Sequence, residues 1–198
     1  ILWSIFLGIS LSTFRLTREE CIWILPFLSI LLGYFAIEVI FKYRKLNFIL
    51  IKNLFPILLP FIILWSALSF ISLINYRYYG TYSYVEFSSN SFVNAYGALT
   101  RVNHRNRKSR IPVPKETRMR IYSVSPTFKK LEPFLEGGIG DSWAESSNSK
   151  EIQGGWFMWA LRDSVAAAGY YNDGSTAEKY YQKLSDEINN ACDEGILD

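Results

Sequence analysis

Residues 54–74 read LFPILLPFIILWSALSFISLI, an unbroken apolar run without one charged side chain. As an α-helix, a run of this length is about 31 Å long and matches the hydrocarbon core of a bilayer. Residues 21–41 form a second such run, interrupted only by Glu38. Two runs of this length are hard to house in a soluble core, because a helix that is apolar all round needs an apolar surrounding. A third block, 1–14, begins on Ile inside an apolar stretch, and is expected to be the end of a helix whose start belongs to a longer protein. Three blocks do not make a signal peptide, which is one block with a cleavage site. The expected architecture is therefore mainly α. Transmembrane helices cover about 1–16, 21–41 and 54–75, and a small water-facing helical domain follows over 76–198.

Orientation follows from basic residues in the short loops. The 42–53 connection carries Lys42, Arg44, Lys45 and Lys52, against Arg15 and Arg18 in the preceding one and Arg77 after the third block. This places 42–53 in the cytoplasm and 76–198 outside it. Glu38 lies one turn from the end of its block with Lys42 at i+4, a position from which it reaches the interface. Pro56 suits a first helical turn, and Pro60 should kink the third helix slightly.

The overall charge of +3 conceals two opposed halves. Residues 77–130 carry 11 basic and 2 acidic side chains, and residues 131–198 carry 4 basic and 13 acidic. Tyrosines 76, 78, 79, 82 and 84 suit a membrane-interface belt or a short extended segment under the domain. Ser91 is expected to cap a helix through FVNAYGALTRV, and ETRMRIYSV reads as a short helix. Ser125 with Pro126 should open another helix that runs toward Gly137. The Gly-, Ser- and Asn-rich residues 137–153 read as a surface loop. Ser175 and Glu178 have capping-box spacing for a last helix closed by Gly195. With helix 156–168 it would form an αα-hairpin across GYYNDG.

Helix 156–168, WFMWALRDSVAAA, is too short to span a membrane and apolar most of the way round. Trp156 and Trp159 form one stripe, Phe157 and Leu161 the next. Both are expected to be buried, against Tyr180, Leu184 and Ile188 and the 117–135 segment. Arg162 and Asp163 are sequence neighbours and point about 100° apart on a helix. They are expected not to pair with each other, but to meet the acidic 131–151 and basic 101–120 segments.

Several chemical motifs fail on context. TRVNHRNRKSR is densely basic, but no aromatics interleave from 103 to 110 and the topology keeps it from nucleic acid. His104 is the single histidine, which leaves no multi-His metal site and a poor base among arginines. The Gly-Asp-Ser of GIGDSWAES is read as coincidental, because it lies in an expected loop and His104 precedes it. No phosphate-binding or dinucleotide fingerprint occurs, and no cofactor or metal is called for. Cys21 and Cys192 fall on one side of the membrane in this topology. They are read as two separate thiols, with a disulfide as the alternative.

The stretches AYGALTRV, IPVPKETRMRIYSVSPTFKKLEPFLEGG, GGWFMWALRDSVAAAGYY and YYQKLSDEINNACDEG, in that order, resemble a poorly characterised group of bacterial multi-pass membrane proteins. The resemblance spans most of 76–196 and implies an outer helical domain after several membrane helices in the bacterial cytoplasmic membrane. It attaches no activity. Cysteines shortly before the Gly-Gly-Trp belong to that pattern, and this chain has none between 22 and 191.

Two functional readings stay open. In the first, the outer domain binds or scaffolds an envelope partner, a protein or a lipid-linked glycan. In the second, the protein is a membrane transferase or hydrolase acting on a lipid-linked substrate. Asp163 and Glu86 are then the acid/base candidates, Arg101 and Arg162 the anion clamps, and Trp156 and Trp159 further ligand contacts. Convergence of the four charged side chains on one open site is the discriminating feature.

Overall fold

A computed structural model describes residues 1–18, 23–43, 48–104, 108–146 and 148–197. The protein is mainly α, with no strand among the described residues. It divides into two compact units: Ile1–Arg77 with Tyr82–Val85, and Tyr78–Thr81 with Glu86–Asp198.

The first unit holds helix α1 (Leu2–Thr17), α2 (Ile24–Tyr43) and most of α3 (Phe48–Tyr79). Helices α2 and α3 are long and apolar enough to cross a membrane. At 32 residues α3 is longer than the expected 54–75, about 48 Å. No helix breaker interrupts FILIKN, so the hydrogen-bond ladder extends beyond the apolar run. Gly80, at φ 76°, stops it after Tyr79. Pro56 therefore lies in the helix interior, not its first turn. Tyr76, Tyr78 and Tyr79 belong to the last turns of α3, not to an extended segment.

Helix α1 buries Gly8, Leu11, Ser12 and Arg15, one stripe at helical spacing. Gly8 is required there, since a Cβ would lie 2.8 Å from Ile63 Cβ and 3.1 Å from Pro60 Cα of α3. Ser12 returns its hydroxyl to the Gly8 carbonyl at 2.7 Å, and Arg15 donates to the Tyr84 hydroxyl at 2.6 Å. Helix α2 buries no residue at all.

The second unit is built from a 3-10 turn (Glu86–Ser88) and helices α4 (Asn90–Arg101), α5 (Lys115–Val124), α6 (Pro126–Lys129), α7 (Glu132–Leu135), α8 (Gly138–Ser146), α9 (Trp156–Ala167) and α10 (Gly174–Asp193). Its core joins Phe92, Ala95, Ala98 and Leu99 of α4 to Tyr181, Leu184 and Ile188 of α10 and to Phe157 and Leu161 of α9. Helix α10 lies mainly along α4, and α9 mainly against α7 and α8, although GYYNDG joins α9 to α10 in sequence.

Four local expectations are corrected. The cap of α4 is Ser89, whose hydroxyl accepts from Phe92 N, because Ser89 is the last extended residue and Ser91 is already helical. The cap of α10 is Asp173, accepting from Thr176 N at 2.6 Å, so the helix starts before Ser175 and the capping box does not form. Ser125 does cap the segment opened by Pro126. The helix then breaks into two single turns, since Pro133 has no N–H to continue the ladder. Finally, 138–146 is helix, not loop. Gly140 serves close packing there, because a Cβ would run into the Leu135 carbonyl.

Candidate functional site

Helix α9 has two unlike faces. Phe157, Ala160, Leu161, Ser164 and Val165 are enclosed in the core. Trp156 and Trp159, expected to be buried, are 43% and 39% exposed. The small side chains Ala160 and Ser164 let the core side of α9 pack tightly, which leaves the bulkier indoles at the edge. There Trp143 of α8 meets them, stacked on Trp156 (centroids 5.3 Å, 29°) and on Trp159 (6.2 Å, 21°). Trp159 also sets its ring against Phe87 at 4.6 Å, near perpendicular.

A charged group adjoins the indoles. Arg162 Nε donates to Glu86 Oε2 at 2.9 Å, and Arg162 Nη1 lies 3.5 Å from Asp163 Oδ1. Asp163 Oδ2 accepts from the Trp143 indole N–H at 3.0 Å. Tyr171 donates to Glu86 Oε1, shares a 2.8 Å hydrogen bond with the Tyr181 hydroxyl and lies beneath the Arg162 guanidinium. Tyr181 is buried at the foot of this group. Burial, and then the Glu86 charge, push its pKa far up, so it stays a neutral phenol.

Glu86, Arg162 and Asp163 thus come together with Trp156 and Trp159. Arg101 does not join them; it binds Asp193 at 2.6 Å and Asn189 at 3.0 Å on an exposed face. The partners expected for α9's charges are also revised. Arg162 takes Glu86 from outside the 131–151 segment, and Asp163 takes an indole from inside it. The two neighbours approach each other as well, because a long guanidinium bridges the angle between adjacent helix positions. Trp143, Tyr171 and Tyr181 were missed. No local signal marked the first, because residues 138–146 read as loop and their helix shows only in the packing of Gly140 against the Leu135 carbonyl.

Two other carboxylates are structural. Glu136 receives Arg118 at 2.5 and 3.0 Å and Tyr122 at 3.0 Å. Glu187 accepts from Ser125 Oγ and from both Thr127 N and Oγ1, holding the start of α6. Burial raises the Glu187 carboxyl's pKa, but these hydrogen bonds outweigh it and hold it below the usual range. His104 Nδ1 is 3.0 Å from Thr117 Oγ1, and Asp141 and Ser142 are exposed on α8, so the Gly-Asp-Ser has no histidine base. Any Cys21–Cys192 pairing lies outside the described residues, since 21 is not among them.

No family model matches the chain, and no curated protein or solved structure matches it.

Proposed function

We propose that the chain belongs to a multi-pass protein of the bacterial cytoplasmic membrane, with residues 76–198 outside the cytoplasm, whose helical domain binds an envelope partner. The membrane part of this reading is supported by α2, which buries no residue fully and exposes Phe27, Ile30 and Phe41, while Leu25 and Leu28 are half-buried against Leu11, Leu64 and Leu68. Apolar side chains on all sides of a 20-residue helix call for lipid or other membrane helices around it. The sequence resemblance to bacterial membrane proteins points the same way. Orientation rests on the basic 42–53 segment. In a background lacking Cys21 and Cys192, an impermeant maleimide applied to intact cells should label Lys150→Cys and spare Asn47→Cys. The reverse pattern reverses the topology.

The observation that carries the binding role is the pair of half-exposed indoles beside Glu86, Arg162 and Asp163. A small domain that leaves two tryptophans at its surface forgoes several kcal/mol of burial, as sites for partners do. Binding is favoured over catalysis because both Glu86 oxygens and one Asp163 oxygen are engaged by protein donors, and because Arg101 lies elsewhere. The test is co-sedimentation of the full chain, in nanodiscs, with washed envelope material. The parent should be retained. Trp156→Ala with Trp159→Ala should lose most of that retention while near-ultraviolet circular dichroism keeps its folded form. Equal retention of both would remove the binding role from this face.

A further inference from the structure

The indoles expose no common flat face, because Trp156 and Trp159 both lean on Trp143 and Trp159 also meets Phe87. A stacked small ligand therefore has no seat here. A protein surface needs none, since it packs against half-exposed side chains one by one, with an aromatic centre and a polar rim.

Charges on either side of the indoles narrow the kind of surface. Next to Trp159 lie Glu86, Arg162 and Asp163, which sum to one negative charge. At the opposite end, Gly154 N donates to the Arg110 carbonyl at 2.7 Å, which sets Arg110 beside the first turn of α9. The Arg110 side chain is exposed and has no partner among the described residues. Lys150, four residues before Gly154, is exposed too, while Lys108 and Glu151 cancel in an ion pair. This end is positive. Trp156 and Asp163 stand seven residues apart, which separates the two ends by about 10 Å of helix.

A wholly basic partner would be repelled at the first turn of α9, and a wholly acidic one at Asp163. The fit requires both signs in reverse order at the same spacing. A second copy turned by a two-fold rotation supplies that by symmetry, with Arg110 set toward the partner's Asp163 and the indoles at the axis. We infer that the indole edge pairs with the same edge of a second copy of this chain. This rests on the binding role proposed above and names its occupant. At about 40% exposure, each indole leaves on the order of 100 Å² in water, so four of them supply about 400 Å². Stable interfaces bury roughly 1,200–2,000 Å². The pairing is therefore weak, and forms where chains are dense, as in a membrane.

Resonance energy transfer between donor- and acceptor-labelled full chains in liposomes tests it, with dyes on Glu194→Cys in a background lacking Cys21 and Cys192. Across a series of chain-to-lipid ratios, transfer in the parent should exceed that of random mixing. Trp156→Ala with Trp159→Ala should weaken association by about tenfold or more, as loss of central aromatic contacts does. Arg110→Glu and Asp163→Lys should each weaken self-association severalfold. Mixed together, those two variants should associate as the parent does, because their ends then match in both directions. Should pulse proteolysis show Asp163→Lys unfolded, Arg110→Glu and loss of transfer at high salt carry the test. Random-level transfer in the parent, or transfer indifferent to the indoles and to Arg110, would overturn self-pairing. Indole-dependent retention on envelope material from cells lacking this chain, with random-level transfer, would overturn the second copy and spare the partner. Loss of both the transfer and the retention would overturn both.

Discussion

Arg118→Ala should destabilise the helical domain by about 3–5 kcal/mol, the cost of stripping a partner from a buried charge. Arg118 is 4% exposed and its partner Glu136 11%. Its Nε and Nη2 take both Glu136 oxygens, and Nη1 donates to the Val113 carbonyl at 2.9 Å. Removing it leaves the Glu136 carboxylate with only Tyr122 and the exposed Lys115, and takes the guanidinium donor from the Val113 carbonyl. Arg118→Lys restores charge but not the fork, and should recover only part of the loss. The pair also sets an acid limit. Burial raises the Glu136 pKa, yet the Arg118 hydrogen bonds and charge, with Tyr122 and Lys115, outweigh it and hold the carboxyl below its usual range. A carboxyl lowered by folding stabilises the fold above its unfolded pKa, and that contribution is lost as pH falls through the folded value. The parent should therefore weaken from about pH 4 downward, and Arg118→Ala should lose this share of its acid sensitivity. Pulse proteolysis of the full chain across a urea series reads both effects. An Arg118→Ala midpoint equal to the parent's would mean that the pair contributes nothing.

The membrane-length helices were legible because composition alone dictates them: a run such as 54–74 has few other places to go. Their ends were not, because hydrogen bonding in α3 runs through Lys52 and Arg77 where apolar composition stops. In the domain, Gly195 as a stop and Ser125 as a cap could be read locally, since a cap or an αL stop involves only nearby residues. Helix α8 could not. Its glycines look like loop composition, and only the packing of Gly140 against the Leu135 carbonyl reveals their use. That one misreading hid Trp143, and with it the edge of the site. Glu86, Arg162 and Asp163 were nominated separately from the sequence. Their meeting depends on a 3-10 turn lying beside α9, a long-range placement that no local pattern encodes. Periodicity marked both aromatic stripes of α9 as core, and one of them is. Which stripe turned inward was decided by the small residues Ala160 and Ser164, which continue the Phe157 side.

Phe157→Ala should cost the domain about 3–5 kcal/mol, whereas Trp156→Ala, one residue away, should cost well under half as much. Phe157 is 0% exposed, with its ring 6.2 Å from that of Tyr96 and its neighbours Ala160 and Leu161 equally enclosed. Truncating it leaves a cavity that a packed helix cannot collapse, and the contacts around the void are lost with the buried area. Trp156 is the larger side chain, and size alone would reverse the order. Nearly half of its surface is already in water, however, so its removal opens no closed void and forfeits mainly the stacking on Trp143. Trp159, which also braces Phe87, should fall between the two. Pulse proteolysis of the three variants in the full chain gives the order directly. Equal losses at Phe157 and Trp156 would mean that α9 is enclosed on both sides. A helix enclosed on both sides has no edge to offer, and the binding role assigned to these indoles would fall with it.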